Sequence, residues 1–226
     1  MNRDFRQGFL DFLPVLAALV PIALLLGTLA AGKGLSPLEI GLMSVLVFAG
    51  SSQFVALELW RDPAPWALVG AAAFIVNLRF VLMNASLARR LGEMRPATRA
   101  LIGWYMADEN WAFAEQRARK QPLTAAYCFG VTIPMVTMWT ALTVAGAIAG
   151  QGFGSPEAYG FDFAFSAVFI AIIAGFVKTP GTGLVLVASG LAAALAKSFI
   201  PGAWHIIIGG LAGIAVAALM WKDERP

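Results

Sequence analysis

The sequence predicts an all-α integral membrane protein with about seven transmembrane helices, in a range of six to eight. Apolar residues make up 59% of the 226 positions, charged residues make up 13%, and the mean hydropathy is +0.76. A soluble domain averages roughly 45–50% apolar and about 25% charged residues. The apolar residues also form successive runs near the roughly 20 residues that a helix needs to cross the hydrocarbon core. These runs are too long and continuous for the strands of a β-barrel.

Eight apolar segments follow one another, and the loops between them are short. They cover residues 9–31, 39–60, 66–88, 100–115, 122–149, 161–177, 182–199 and 203–221. We therefore expect residues 1–226 to form one polytopic membrane transport domain. The basic residues lie in the short loops, where they suit topology anchors in a lipid bilayer better than a nucleic-acid surface. We expect no metal site and no cofactor, since Cys128 and His205 are the only residues of their types.

The fourth segment is unusual because it is short and contains Asp108-Glu109-Asn110. Short or interrupted apolar segments are typical of the discontinuous helices that form transporter binding sites. If this segment enters and leaves on one side, the basic loops 89–99 and 117–120 both face the cytoplasm. The resulting arrangement has seven spans, an outside N-terminus and an inside C-terminus, although it places Arg3, Arg6 and Arg61 outside. Eight spans would instead place the four arginines of loop 89–99 outside, so seven spans are favoured.

A short motif recurs at an offset of 119 residues: Ser36-Pro37-x-x-x-Gly41 reappears as Ser155-Pro156-x-x-x-Gly160, and Gly27 aligns with Gly146. A proline in the first turn is also a common helix start, so coincidence and duplication both remain open. If the duplication is real, the repeat halves are residues 9–118 and 122–221. Their first helices run in opposite directions in the seven-span arrangement, which predicts an inverted repeat.

Arg79, deep in the third segment, is the strongest candidate for a functional charge. A charge at the centre of a membrane helix costs about 2.5–3.5 kcal/mol on insertion scales, and it usually faces a partner inside the protein. A guanidinium suits two-point binding of a substrate carboxylate. A structural ion pair with Asp108 or Glu109 is the alternative interpretation, and both roles could apply at different stages of a transport cycle. Asn77 lies shortly before Arg79 on the same segment and is a further candidate substrate contact.

The adjacent carboxylates Asp108 and Glu109 are candidates for proton coupling or for binding an ammonium group. Burial raises the pKa of a carboxylate, so such a group can exchange a proton near neutral pH. The alternative is that the pair caps a re-entrant helix. Asp162, at the start of the sixth segment, has the same two interpretations, with helix capping as the simpler one.

The second segment is interrupted by Gly50-Ser51-Ser52-Gln53, a stretch of small and polar residues. Small residues let membrane helices pack closely, which is the commoner explanation. The other interpretation is an unwound stretch whose backbone and side chains contact a substrate. The sequence supports the two interpretations about equally.

An intramembrane enzyme is not expected. A serine protease would need a nucleophile with a histidine partner on a neighbouring helix, but His205 is the single histidine and no Gly-x-Ser-x-Gly turn is present. A nucleotide-binding glycine loop of the Gly-x-x-x-x-Gly-Lys-Ser/Thr kind is also absent from the sequence. A channel remains open as an alternative, because a polar pathway can serve a channel or a carrier.

Several motifs, in order, resemble the AzlC family of branched-chain amino-acid permeases. They are Gly34-Leu35-Ser36-Pro37 with Glu39, Phe48-Ala49-Gly50-Ser51-Ser52-Gln53-Phe54, Asn77-Leu78-Arg79 followed by Met83 to Leu87, Asp108-Glu109, and Tyr159-Gly160-Phe161-Asp162-Phe163-Ala164. The likeness runs from about residue 5 to 220. It departs from the family pattern at Phe80, where many relatives carry a histidine, so a proton relay at that position is not expected here.

The resemblance implies a subunit that exports leucine, isoleucine and valine, with methionine as a further substrate, driven by the proton-motive force. It also implies a location in the cell (inner) membrane and a small membrane partner of the AzlD type. Together with the buried charges, it suggests a secondary carrier in which Arg79 holds the substrate carboxylate. Two alternatives stay open: a carrier or channel for another small solute, and a scaffold subunit whose partner contains the pathway.

Overall fold

The computed structural model describes residues 2–61, 63–150, 180–200 and 204–220, with Ile170 and Ala174 as single positions. Within these ranges the chain forms nine helices and no strand, which confirms the all-α prediction. The helices are α1 (Arg3–Gly32), α2 (Pro37–Leu46), α3 (Gly50–Leu59), α4 (Trp66–Leu87), α5 (Pro96–Trp104), α6 (Asp108–Lys120), α7 (Ala125–Gly150), α8 (Pro180–Phe199) and α9 (Trp204–Met220).

Four of these helices, α1, α4, α7 and α8, are long and apolar enough to cross a membrane. The helices α2, α3, α5 and α6 contain 10, 10, 9 and 13 residues. None of those four can span alone, because a crossing takes about 20 residues. The last helix, α9, contains 17 residues and is apolar. The described chain therefore combines helices that are long enough to span a membrane with two consecutive pairs of short helices, α2 with α3 and α5 with α6.

The helices α1 and α7 form the centre of the fold and run in the same direction. Near their first residues, Gly8 lies against the backbone of Tyr127, and near their last residues Gly150 lies against Thr28. The sequence prediction that these two helices run in opposite directions is therefore wrong. It assumed that residues 39–60 cross the membrane, whereas they fold back, which changes the direction of every later helix.

Each of the two helices α1 and α7 contributes a glycine that lies against the backbone of the other helix. A Cβ atom on Gly27 would collide with the carbonyl oxygen of Thr143, and a Cβ on Gly146 would collide with that of Leu24. Leu24 and Thr143 are themselves 119 residues apart, the same offset that relates the two glycines. The contact has the pattern of two parallel, equivalent helices packed through small residues.

The first short pair, which we call hairpin 1 (residues 37–59), consists of α2 and α3. Its first arm is fixed against α7 by a hydrogen bond between the hydroxyl groups of Ser44 and Thr143, 3.0 Å apart. Its second arm ends beside the start of α4, where the rings of Trp60 and Trp66 pack edge to face with centroids 5.4 Å apart. Hairpin 1 therefore enters the helix bundle from the end where α1 finishes, and it returns to that end.

The second pair, hairpin 2 (residues 96–120), consists of α5 and α6 and enters from the opposite end. Its last turn meets the start of α1, where Arg117 pairs with Asp4 at 3.2 Å. Between the arms, the ring of Tyr105 contacts Phe48 of hairpin 1, with centroids 5.8 Å apart. The predicted re-entry of the fourth segment agrees with this arrangement. The two hairpins thus meet tip to tip inside the bundle.

Basic side chains collect at the end from which hairpin 2 enters, which we call the basic end. Within residues 2–61 and 63–150 it carries Arg3, Arg6, Arg89, Arg90, Arg95, Arg99, Arg117, Arg119 and Lys120, against Lys33 and Arg61 at the other end. The positive-inside rule assigns such an end to the cytoplasm. The predicted arrangement placed the N-terminus on the side opposite both basic loops, and this is wrong, because the start of α1 lies at the basic end together with those loops.

Candidate functional site

A cavity of about 230 Å³ lies where the tips of the two hairpins meet, between α1, α4 and α7. We call it the central cavity. Its polar lining comes from both tips and from Arg79 of α4, and most of the remaining wall is apolar. The residues that line it are Leu19, Ile22, Phe48, Ala49, Gly50, Ser51, Phe54, Arg79, Phe80, Ala107, Asp108, Glu109, Met135 and Trp139.

Each hairpin presents the first residues of its second arm to the central cavity. Both arms begin after an alanine in non-helical conformation, with φ −155° and ψ 87° at Ala49 and φ −138° and ψ 169° at Ala107. Alanine has no side-chain oxygen to accept the N–H groups of the first turn. The start of a helix carries a partial positive charge and unsatisfied N–H donors. Two helix starts with this property therefore adjoin the same cavity.

Arg79 connects the two tips. Its Nη1 lies 2.7 Å from Oδ2 of Asp108, and its Nη2 donates a hydrogen bond to the Ser51 hydroxyl. The two charged side chains are 34% and 36% exposed, so the pair remains accessible from the central cavity. The guanidinium also lies over the ring of Phe80, 5.1 Å from its centroid. Its Nε is buried and has no hydrogen-bond partner within the described chain.

Glu109 lines the same cavity beside Asp108. The described residues offer it no salt bridge, because Arg79 pairs with Asp108 instead. The cavity therefore contains one arginine and two adjacent carboxylates. Such a set can bind a carboxylate and an ammonium group together.

The structure separates the other predicted site residues into two groups. Gly50 and Ser51 line the central cavity, as Arg79, Asp108 and Glu109 do. Gln53 and Ser52 are 0% and 1% exposed and do not reach it. Asn77 is not part of the cavity lining either, and its buried Oδ1 lacks a hydrogen-bond partner within the described chain. Asp162 lies outside the described residues.

Gln53 takes part in a buried hydrogen-bond network that fixes hairpin 1 to α7. Its Nε2 donates to the Ser44 hydroxyl at 3.2 Å, and its Oε1 accepts from Nε1 of Trp139 at 3.0 Å. Ser44 continues the network to Thr143. Ser52 donates to the carbonyl oxygen of Ala49 at the break. Of these side chains, Ser44, Ser52 and Gln53 support the tip of hairpin 1 on the side that faces away from the central cavity.

Sequence reasoning missed the apolar wall of the cavity. Leu19 and Ile22 come from α1, and Met135 and Trp139 come from α7. Each is an ordinary apolar residue in a membrane helix, so no local signal distinguishes it from a lipid-facing neighbour. The close α1–α7 packing decides which of these side chains face inward.

The fold and the central cavity define the class of this protein. It is a polytopic helical membrane protein, and its cavity is large enough for a small solute. Polar and apolar residues line that cavity where the tips of hairpin 1 and hairpin 2 meet. The chain belongs to the AzlC family, since the family profile described as "AzlC protein" matches residues 14–153. The matched region reaches from α1 through α7 and includes every residue that lines the central cavity.

The chain is also similar over nearly its full length to two membrane proteins. One is an "Uncharacterized membrane protein" of Archaeoglobus fulgidus, 28% identical over 95% of this chain and 91% of the relative. The other is the "Inner membrane protein YgaZ" of Escherichia coli K12, 26% identical over 96% of this chain and 89% of the relative. An "Uncharacterized membrane protein" of Helicobacter pylori J99 is 24% identical over 75% of each chain. No solved structure matches the chain significantly.

Proposed function

We propose that this chain is the large subunit of a proton-coupled secondary transporter that exports branched-chain amino acids through the cell inner membrane. The observation that carries the proposal is the position of Arg79, which lines a solute-sized cavity and contacts both hairpin tips. A charge held deep in a membrane protein is by default a candidate for a pathway or a binding site. Membership of the AzlC family supports an amino acid as the solute.

The substrate carboxylate binds Arg79 in this proposal. A guanidinium can make two parallel hydrogen bonds to a carboxylate, and Arg79 lines the central cavity. The two helix starts add partial positive charge around the same place. The incoming carboxylate competes with Asp108 for the guanidinium, so substrate binding loosens the ion pair that connects α4 to hairpin 2.

The ammonium group binds Asp108 or Glu109, and the aliphatic side chain lies against the apolar wall. Leu19, Ile22 and Met135 give that wall the character that leucine, isoleucine, valine and methionine side chains require. The second carboxylate is free to carry the coupling proton. A single proton-binding residue is not assigned between Asp108 and Glu109.

A small membrane protein of the AzlD type completes the transporter in this proposal. The described helices leave large apolar side chains exposed on several faces, such as Phe74, Leu82 and Leu191 at 67%, 74% and 61%. Lipid or a membrane partner can cover such faces equally well. The partner is therefore supported by the family resemblance and has to be tested by co-expression.

The test is leucine efflux from dipeptide-loaded cells that express the chain with its candidate partner, each subunit alone, or neither. The proposal expects faster efflux from cells with both subunits, loss of the effect with a protonophore, and loss of it with Arg79→Ala. The matched control is Arg90→Ala, since Arg90 also forms one short salt bridge but lies outside the central cavity. Unchanged efflux of all branched-chain amino acids, with both subunits present in the membrane, would contradict the substrate assignment.

Two alternatives make different predictions in the same cells. A carrier or channel for another small solute leaves leucine efflux unchanged, while flux of a different solute still depends on Arg79. A scaffold subunit gives efflux that is insensitive to Arg79→Ala but requires the chain to be present. The three outcomes are distinct because Arg79→Ala tests whether this chain contains the pathway, whereas cells that lack this chain test whether the complex requires it.

A further inference from the structure

A second cavity of about 360 Å³ opens at the basic end, between the first turns of α1, the last turns of α6 and the start of α7. We call it the vestibule. In contrast to the central cavity, its lining is mainly polar and charged: Gln7, Asp11, Gln116, Arg117, Lys120 and Tyr127. It shares no lining residue with the central cavity.

Arg117 lines the vestibule and is held in a fixed position by its neighbours. Its side chain is 8% exposed, and it is held by Asp4 at 3.2 Å and by Gln7, whose Oε1 accepts from Nη1 at 2.7 Å. The guanidinium also packs over the ring of Tyr127, 4.8 Å from its centroid. Its Nε remains without a hydrogen-bond partner within the described chain. This fixed guanidinium contributes positive charge to the wall of the vestibule, although its Nη atoms already contact Gln7 and Asp4.

The vestibule also contains a negative charge, the carboxylate of Asp11. Asp11 accepts a hydrogen bond from the Tyr127 hydroxyl at 3.2 Å, and its side chain is otherwise exposed. It forms no salt bridge within the described residues. Lys120 lines the same space as a second, exposed cation. The vestibule therefore offers a carboxylate for an ammonium group beside cations for a carboxylate group.

A layer of buried side chains separates the vestibule from the central cavity, and on α7 it includes Val131, between Tyr127 and Met135. A gap of about 10 Å³ adjoins Tyr127 and is also lined by Asn110 and Thr132, and this volume is close to the space that one water molecule needs. Tyr127 belongs to the vestibule lining as well, while Asn110 directly follows Glu109 of the central cavity. Asn110 donates to the Thr132 hydroxyl at 3.3 Å across this layer. The two cavities thus lie at successive levels along α1, α6 and α7.

We propose that the vestibule is a second binding site for the amino-acid zwitterion, in which Lys120, beside the fixed positive charge of Arg117, receives the carboxylate and Asp11 receives the ammonium group. The inference rests on the proposed function, because the basic end faces the cytoplasm by the positive-inside rule and an exporter collects its solute there. The vestibule is the first site that the solute meets, and the central cavity is the second.

The experiment measures equilibrium binding of labelled leucine to the purified full chain in lipid nanodiscs, using an Arg79→Ala background to remove the central site. That protein keeps one leucine site, and Asp11→Asn or Lys120→Gln weakens binding there by about tenfold, as expected for the loss of one charge-assisted hydrogen bond. Two controls, Glu93→Gln and Arg119→Gln, leave binding unchanged, because these side chains are exposed at the same end but do not line the vestibule.

Leucine analogues separate the two contacts. Isocaproate lacks the ammonium group, and isoamylamine lacks the carboxylate. The Arg79→Ala protein prefers leucine to both analogues. Asp11→Asn removes the preference over isocaproate, while Lys120→Gln reduces the preference over isoamylamine. A purely structural role for either residue would weaken all three ligands alike, and that result would overturn the proposal.

Other outcomes also decide between the two sites. Absence of leucine binding in the Arg79→Ala protein overturns the vestibule and leaves the central site standing. If the Arg79→Ala protein binds leucine as well as the wild type does, and Asp11→Asn abolishes that binding, the result supports the vestibule site. The same result contradicts a substrate-binding role for Arg79. A Lys120→Gln effect seen only in nanodiscs of anionic lipid assigns the cations to lipid headgroups, which overturns the proposal.

Discussion

Arg79 of α4 and Asp108, the first residue of α6, form an ion pair with 2.7 Å between Nη1 and Oδ2. The same guanidinium donates a hydrogen bond to Ser51 of hairpin 1. One side chain on a spanning helix therefore holds the tips of two hairpins that enter from opposite ends. Any movement that separates the tips has to break at least one of these two contacts.

A double-mutant cycle on Arg79→Ala and Asp108→Ala tests this connection. Each side chain is about a third exposed, so we expect a coupling of about 0.5–1 kcal/mol rather than the larger value of a fully buried pair. Thermal unfolding of the four purified proteins measures it. The same cycle on Arg90 and Glu115, a salt bridge of 2.6 Å at the basic end, provides the comparison. Strictly additive effects for Arg79 and Asp108 would mean that the ion pair does not stabilise the hairpin tips.

The α1–α7 contact is sensitive to a single methyl group. We expect Gly27→Ala and Gly146→Ala each to destabilise the protein by about 1–3 kcal/mol, since the new Cβ would collide with a backbone oxygen of the partner helix and overpacking has that cost. The matched control is Gly70→Ala in α4, where a Cβ meets nothing within 4 Å. That variant should be neutral or slightly more stable, because alanine favours helix. Equal stability of all three variants would contradict the close packing.

The position of the basic end predicts a labelling pattern. In a Cys128→Ser background, Lys33→Cys should react with a membrane-impermeant maleimide in intact cells. Arg3→Cys and Glu93→Cys should react only after the cells are permeabilised, because both positions lie at the basic end, which we expect to face the cytoplasm. Reaction of Lys33→Cys and Glu93→Cys from the same side would show that the chain crosses the membrane differently.

The network behind hairpin 1 gives a stability prediction. Trp139→Phe removes the N–H donor and leaves Oε1 of the fully buried Gln53 without its partner, which should cost about 1–3 kcal/mol. Thermal unfolding measures this cost. Trp104→Phe is the matched control, because Trp104 is 62% exposed, and it should change stability little. A Trp139→Phe protein as stable as the control would exclude a structural role for this bond.

The sequence predicted the central charges because a buried charge is conspicuous in an apolar segment. Arg79, Asp108 and Glu109 were singled out on this basis, and the structure brings all three to one cavity. Gly50 and Ser51 were visible as a polar interruption. Gln53 carries the same signal but lies behind the tip, since residue type does not reveal which way a side chain faces.

The direction of the helices was harder to predict. Residues 39–60 are apolar over a length that suits one crossing, yet the chain reverses after Val47 and builds hairpin 1. That reversal makes α1 and α7 parallel and moves the N-terminus to the basic end. Contacts between distant residues, such as Ser44 with Thr143, decide it, and no local pattern contains that information. The proposed substrate-binding roles remain predictions.

The most direct measurement of the central claim is leucine counterflow in proteoliposomes that contain the purified chain and its candidate partner. The claim predicts rapid exchange of labelled leucine with the wild type and with Arg90→Ala. It predicts a loss of at least about tenfold with Arg79→Ala, as expected when a charge-assisted contact to the substrate is removed. Exchange by Arg79→Ala at the wild-type rate would contradict a substrate site built around this arginine.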